Sequence, residues 1–259
     1  MTLHSWEIYR HTMPVFRKNG KNILFIHVPK CGGSSIENAF RTAGFRADYL
    51  DRKVGHDTLN HLRTCSPQHL HAEPLAQQLR IDRFELVFMV VREPLARLRS
   101  EYVYVQRAKK KVSRDAADVN AWVRKKMRAY EKNPFTLDNH LRPQSEFAMP
   151  QAVVYRLEDG LDAVIADLND RFHVGVSAVE RALHSEHEVG FSSSEIEIDD
   201  EVRALVRDFY GDDFVRFGYD PETFTPRAGA VPFADGAPLQ RVKRRLDRRA
   251  HAIADRVKP

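Results

Sequence analysis

The chain has 259 residues, with 41 Lys and Arg against 36 Asp and Glu, a net charge of +5. That length and apolar content suit one α/β domain with an appendage and exclude a disordered or fibrous chain. Cys31 and Cys65 make neither a disulfide framework nor a metal-ligand spacing, residues 1–7 do not read as a secretory signal, and no apolar run reaches the ~20 residues of a membrane span.

Residues 1–21 read as a mixed, polar, irregular lead-in. Apolar residues over 23–28 predict a short buried strand, which Pro29 ends and Gly32-Gly33 turn. Ser34-Ser35-Ile36-Glu37 then has the form of a capping box, with Ser34 as cap and Glu37 three residues on. Ile36, Ala39, Phe40 and Ala43 continue at helical spacing. A strand, a glycine turn and a helix start make an anion site: amides converge, the helix dipole favours negative charge, and glycines let a bulky oxyanion approach. Lys30 adds a positive charge at its mouth. The order is not that of a Walker A loop, in which lysine follows the glycines.

Residues 45–80 lack a strong period. They hold His56 in Gly55-His56-Asp57-Thr58, then His61, His69 and His71, at spacings that match no compact zinc pattern, so no metal is expected. Residues 86–91 form a continuous apolar run, as in a strand covered on both faces. Arg92-Glu93-Pro94 ends it, and Leu95, Leu98, Tyr102 and Val105 predict a helix begun by Pro94. Arg92 thus falls at the carboxyl end of a central strand, the edge where open parallel sheets bind ligands.

Basic runs follow at 107–114 and, on a helix predicted over 115–132, at 124–128. They read as solvated faces or as attraction for an anionic acceptor. Next come Asp138-Asn139-His140-Leu141-Arg142-Pro143-Gln144, a strand over 152–155, Glu158 at its end, and helices near 160–171, 176–185 and 199–210. A short aromatic helix precedes Gly218-Tyr219. From Arg227 onward nine basic and three acidic residues give +6, so basicity belongs to the tail, and the chain carries no nucleic-acid reading motif. The domain is taken as 1–225, and 226–259 as a linker and basic helix able to touch an anionic surface.

Pro29-Lys30-Cys31-Gly32-Gly33-Ser34-Ser35 after a strand resembles the 5′-phosphosulfate loop of sulfotransferases that use PAPS, 3′-phosphoadenosine 5′-phosphosulfate. Val91-Arg92-x-Pro94-x-x-Arg97-x-x-Ser100-x-Tyr102 is similar to their 3′-phosphate site, where Arg92 and Ser100 match the residues that hold that phosphate. His140-x-x-Pro143-Gln144 resembles a stretch beside the acceptor in the carbohydrate, family 2-like branch. The resemblance spans about 22–220. It implies a P-loop-like, three-layer α/β/α fold with a central parallel sheet. It also implies sulfuryl transfer to a carbohydrate hydroxyl, of a polysaccharide or glycolipid, with release of adenosine 3′,5′-bisphosphate and no metal. Without an anchor, the chain looks like a cytoplasmic, bacterial member.

A sugar hydroxyl needs a general base able to take a proton near neutrality, which suits histidine. His56 is the first candidate, His140 the second, and an acidic group such as Glu158 the third. His27 is expected to be structural. A phosphotransferase would need a Walker lysine and a magnesium ligand. A protein of the same fold that binds a glycan or membrane without catalysis is the remaining alternative.

Overall fold

The computed structural model describes residues 15–48, 57–58, 60–177, 190–229 and 231. His56, the basic helix expected over 239–257 and most of the helix expected over 176–185 lie outside the described residues.

Five strands form the main sheet: β1 (Val15–Lys18), β2 (Lys21–Ile26), β3 (Arg46–Asp48), β4 (Leu86–Val91) and β5 (Val153–Arg156). Their order is β3-β1-β2-β4-β5. The β2–β4 and β4–β5 pairs are parallel, as expected, and β1 adds antiparallel to β2 and β3 on one side. β1 corrects the reading of an irregular lead-in. Asn19-Gly20 has positive φ at both residues, 49° and 81°, which matches the two-residue turn whose twist suits a hairpin. All six β4 residues are buried, so both its faces are covered.

Seven α-helices are described: α1 (Gly33–Thr42), α2 (Ala72–Gln78), α3 (Pro94–Ala108), α4 (Ala116–Lys132), α5 (Leu161–Phe172), α6 (Asp200–Phe209) and α7 (Gly211–Phe217). Helix α1 presses Phe40 onto the sheet, its ring 4.6 Å from Phe16 and 5.8 Å from Phe88. Phe25 and Phe88 stack at 4.9 Å across β2 and β4. Burying such rings at ~2–3 kcal/mol each is what holds the helix layer down and fixes where α1 begins. At the other end Tyr102 of α3 meets Trp122 of α4 at 5.3 Å, and Tyr130 meets Phe209 of α6 at 5.1 Å.

The start of α1 differs from expectation. Gly32, at φ 78°, is the N-cap; the helix begins at Gly33, and no side chain caps it. Ser34 is therefore inside the first turn, and no capping box forms. Glu37 serves another partner: its Oε1 lies 2.6 Å from Nδ1 of the buried His27 and accepts from Gln68 Nε2 at 2.9 Å. His27 is buried, and its ring lies directly beneath Gly33. A Cβ on Gly33 would fall inside the contact distance of that ring. Gly33→Ala is expected to lower unfolding stability by about 1–3 kcal/mol, read as a lower urea midpoint.

Candidate functional site

Parallel pairing sets Ile26 of β2 beside Met89 of β4. Both strands therefore end at one edge, and the Lys30 turn and Arg92 share it. Two side chains fix them there. Arg97 of α3, 2% exposed, donates to the carbonyl of Pro29 at 3.0 Å, of Arg142 at 2.9 Å and of His140 at 2.7 Å. Gln144 accepts from the Arg92 N–H at 2.9 Å, donates to the Arg92 carbonyl at 2.7 Å, and takes the Cys31 thiol on the same oxygen at 3.3 Å. Gln144 is held in turn by Asp213 of α7, which accepts the Gln144 and Ser145 N–H groups, each at 2.8 Å.

Within the turn, Ser35 and Ile36 close onto the Gly32 carbonyl at 3.1 and 3.2 Å. The first-turn N–H groups of Gly33 and Ser34 have no intrahelical acceptor, as in any helix start. No acidic side chain stands in that turn to compete with an anion. Burial pushes the Cys31 thiol up to about 12, against the pull of Arg97 and Arg92, so Cys31 packs rather than reacts.

Lys30 adopts a left-handed backbone, φ 66°, which a non-glycine residue takes at a cost and which clusters at functional sites. Its Nζ sits 4.1 Å from the centre of the Tyr104 ring. Burial is the main cause that lowers Lys30 to about 8; Glu101 holds it up, while Arg92 and Arg107 push it further down. Among the described residues Arg92 is hydrogen-bonded only through its backbone. Ser100 lies half-buried on α3, two turns from the start of that helix.

His140 joins the same cluster. Its ring lies 5.8 Å from Tyr104 at an interplanar angle of 28°, and its Nδ1 lies 2.6 Å from Oε2 of Glu101. In the tautomer whose Nδ1–H donates to this buried carboxylate, Nε2 keeps its lone pair, the arrangement a general base needs. Glu158 is placed otherwise: its oxygens accept from the Glu93 N–H at 2.8 Å and the Tyr219 hydroxyl at 2.9 Å. Both oxygens are thus engaged away from the Lys30–Tyr104–His140 cluster.

Two further histidines line up behind His140. His69 meets it edge to face at 4.6 Å and meets His27 at 5.2 Å. The His69 Nδ1 lies 2.7 Å from Asp138, whose carboxylate also takes the Ser66 N–H and hydroxyl at 2.6 and 2.7 Å. Burial pushes His69 down to about 3, so it is a neutral ring beside an ionised Asp138. Asp138 stands in a run of three left-handed residues, Leu137, Asp138 and Asn139 at φ 55°, 55° and 66°. His69, Asp138 and His140 also form the one described group whose ligand atoms, all within 4.8 Å, could converge on a cation.

The structure thus sets the turn, Arg92 and His140 beside Glu101 and Tyr104, which carry no sequence signal, and beside Asp138 and His69, which stand in the sequence without a role. Arg97 and Gln144 were visible in the quoted motifs without a role. No described helix is long and apolar enough to cross a membrane. No curated protein and no solved structure matches the chain. The model of a family described as "Sulfotransferase family" matches residues 13–220, which take in both strand ends, the turn, α3 and the His140 loop. With that match over most of its length, the chain belongs to the sulfotransferase family.

Proposed function

We propose that the protein transfers a sulfuryl group from PAPS to an acceptor hydroxyl, and that the acceptor is a carbohydrate. One juxtaposition carries this reading. The Lys30 turn and Arg92 end neighbouring parallel strands, and His140 with its carboxylate abuts the ring on which Lys30 rests.

The residues fit such a donor. An uncapped helix start after glycines suits a 5′-phosphate. A guanidinium with no side-chain partner among the described residues, with Ser100 beyond it, suits a 3′-phosphate and favours this nucleotide over ATP. PAPS supplies an activated sulfuryl group and a phosphate leaving group. The chain's part is positioning and charge. The Gly33 and Ser34 amides hold the phosphate. Lys30 supplies positive potential where the leaving charge grows. His140 Nε2 accepts the acceptor proton, and Glu101 offsets the imidazolium that results.

Titration calorimetry with adenosine 3′,5′-bisphosphate tests the donor site. A phosphate binds the charged lysine, and Lys30 keeps its charge only below about 8. Affinity should therefore fall as pH rises through about 8. Lys30→Arg, charged throughout, should show no fall there. The sign for stability is opposite: charging a buried lysine opposes folding, so Lys30 disfavours the fold least above its ordinary value and most below about 8. A screen of glycans with radiolabelled PAPS then identifies the acceptor. Nucleotide binding with no transfer to any glycan, glycolipid or tyrosine peptide would favour the non-catalytic alternative.

A further inference from the structure

Glu101 joins the two halves of this site, and its two oxygens are unequal. The side chain is 1% exposed. Oε2 is engaged with His140 Nδ1 at 2.6 Å. Oε1 is buried and has no hydrogen-bond partner among the described residues. A buried carboxyl oxygen left without a partner is costly, and such orphans mark a missing partner or a catalytic role. The groups around it are unusual too. Tyr104 stands one helical turn further along α3, on the same face, 42% exposed, with the Lys30 ammonium over its ring. Glu101 is the acidic group that most supports the charge of Lys30, and it also supports Lys126, while Arg92 and Arg107 oppose Lys30.

We propose that Glu101 is a positioning residue shared by the transfer lysine and the base. Oε2 holds His140 in the tautomer with a free Nε2. The carboxylate as a whole, with the Tyr104 ring, holds Lys30 back from the turn as its resting counter-ion. A phosphate entering the turn then competes with Glu101 for one ammonium. That competition weakens the hold on the spent nucleotide and keeps the carboxylate available for the imidazolium when His140 takes a proton. The inference rests on the donor site proposed above, and its test separates the two.

Calorimetry with adenosine 3′,5′-bisphosphate on Glu101→Gln, at about pH 6.5 where Lys30 is charged, should give tighter binding than wild type by about threefold or more. Damage to the fold would weaken binding, so the sign is diagnostic. Equal or weaker binding overturns the inference. If the wild type itself fails to bind the nucleotide, it is the donor-site reading that falls. If Glu101→Gln does not fold, Tyr104→Leu at the exposed ring takes its place, with about twofold tighter binding expected and unchanged binding overturning the resting contact. Ring ¹⁵N spectra check the base: His140 should carry its proton on Nδ1 in the wild type and lose that preference in Glu101→Gln. A wild-type Nε2–H form would overturn that half.

Discussion

Lys30→Ala is expected to lower the rate of sulfuryl transfer by about 10²–10³, the usual cost of removing one group aimed at charge that appears only in the transition state. Three observations stand behind this size. The lysine projects from a turn whose backbone is held in the left-handed region. The turn is stapled by Arg97 at the Pro29 carbonyl and packed at Cys31 against Gln144, so the rest of the cradle should survive the substitution. Finally, Lys30 is desolvated, and a charge removed from water acts more strongly on a neighbouring anion. Nucleotide binding should weaken by less than the rate, because the amides and Arg92 remain. The measurement is kcat with the acceptor found by screening, beside calorimetry with adenosine 3′,5′-bisphosphate. Near-normal turnover in this variant would sink the mechanism.

His140→Ala should cost about 10²–10⁴ in kcat, the range for loss of a positioned general base. Here the nucleotide affinity should stay within about twofold of wild type, since His140 contacts Glu101, Tyr104 and His69 rather than the strand ends. That split, chemistry lost with donor binding kept, distinguishes it from Lys30→Ala. His56→Ala, made in parallel, decides between the two histidines: an unchanged rate in His140→Ala with a collapse in His56→Ala would move the base to His56.

What the sequence revealed follows from how local each signal is. β2, the glycine turn and α1 are consecutive, as are β4, Arg92 and Pro94, so each candidate anion site lies whole within a short window of sequence. The continuous apolar run of β4 then implies a central strand, and parallel neighbours bring the two sites to one edge. Local signals also mislead. Ser34 and Glu37 have capping-box spacing, yet a buried histidine beneath Gly33 outbids the helix end for the carboxylate. Asn19-Gly20 was a hairpin signal hidden in a stretch that looked too polar for a strand. Glu101, Asp138 and His69 were illegible for another reason. Their partners lie 39 and 69 residues away in sequence. In a helix as charged as α3, a glutamate that will be sealed against a histidine looks like any solvated one.

The fastening of the His140 loop has a consequence for how the enzyme comes to life. Tyr210 donates to the Leu141 carbonyl, and Asp213 accepts from the Gln144 and Ser145 N–H groups. Every one of these anchors depends on the last part of the described chain. A nascent polypeptide would leave the ribosome with the Arg97 and Glu101 contacts to His140 already translated and the stretch from Leu141 to Ser145 not yet pinned from its far side. Competence would arrive in a single late event, when the final helices dock, and a truncation near residue 209 should yield a protein with the right strands and no chemistry.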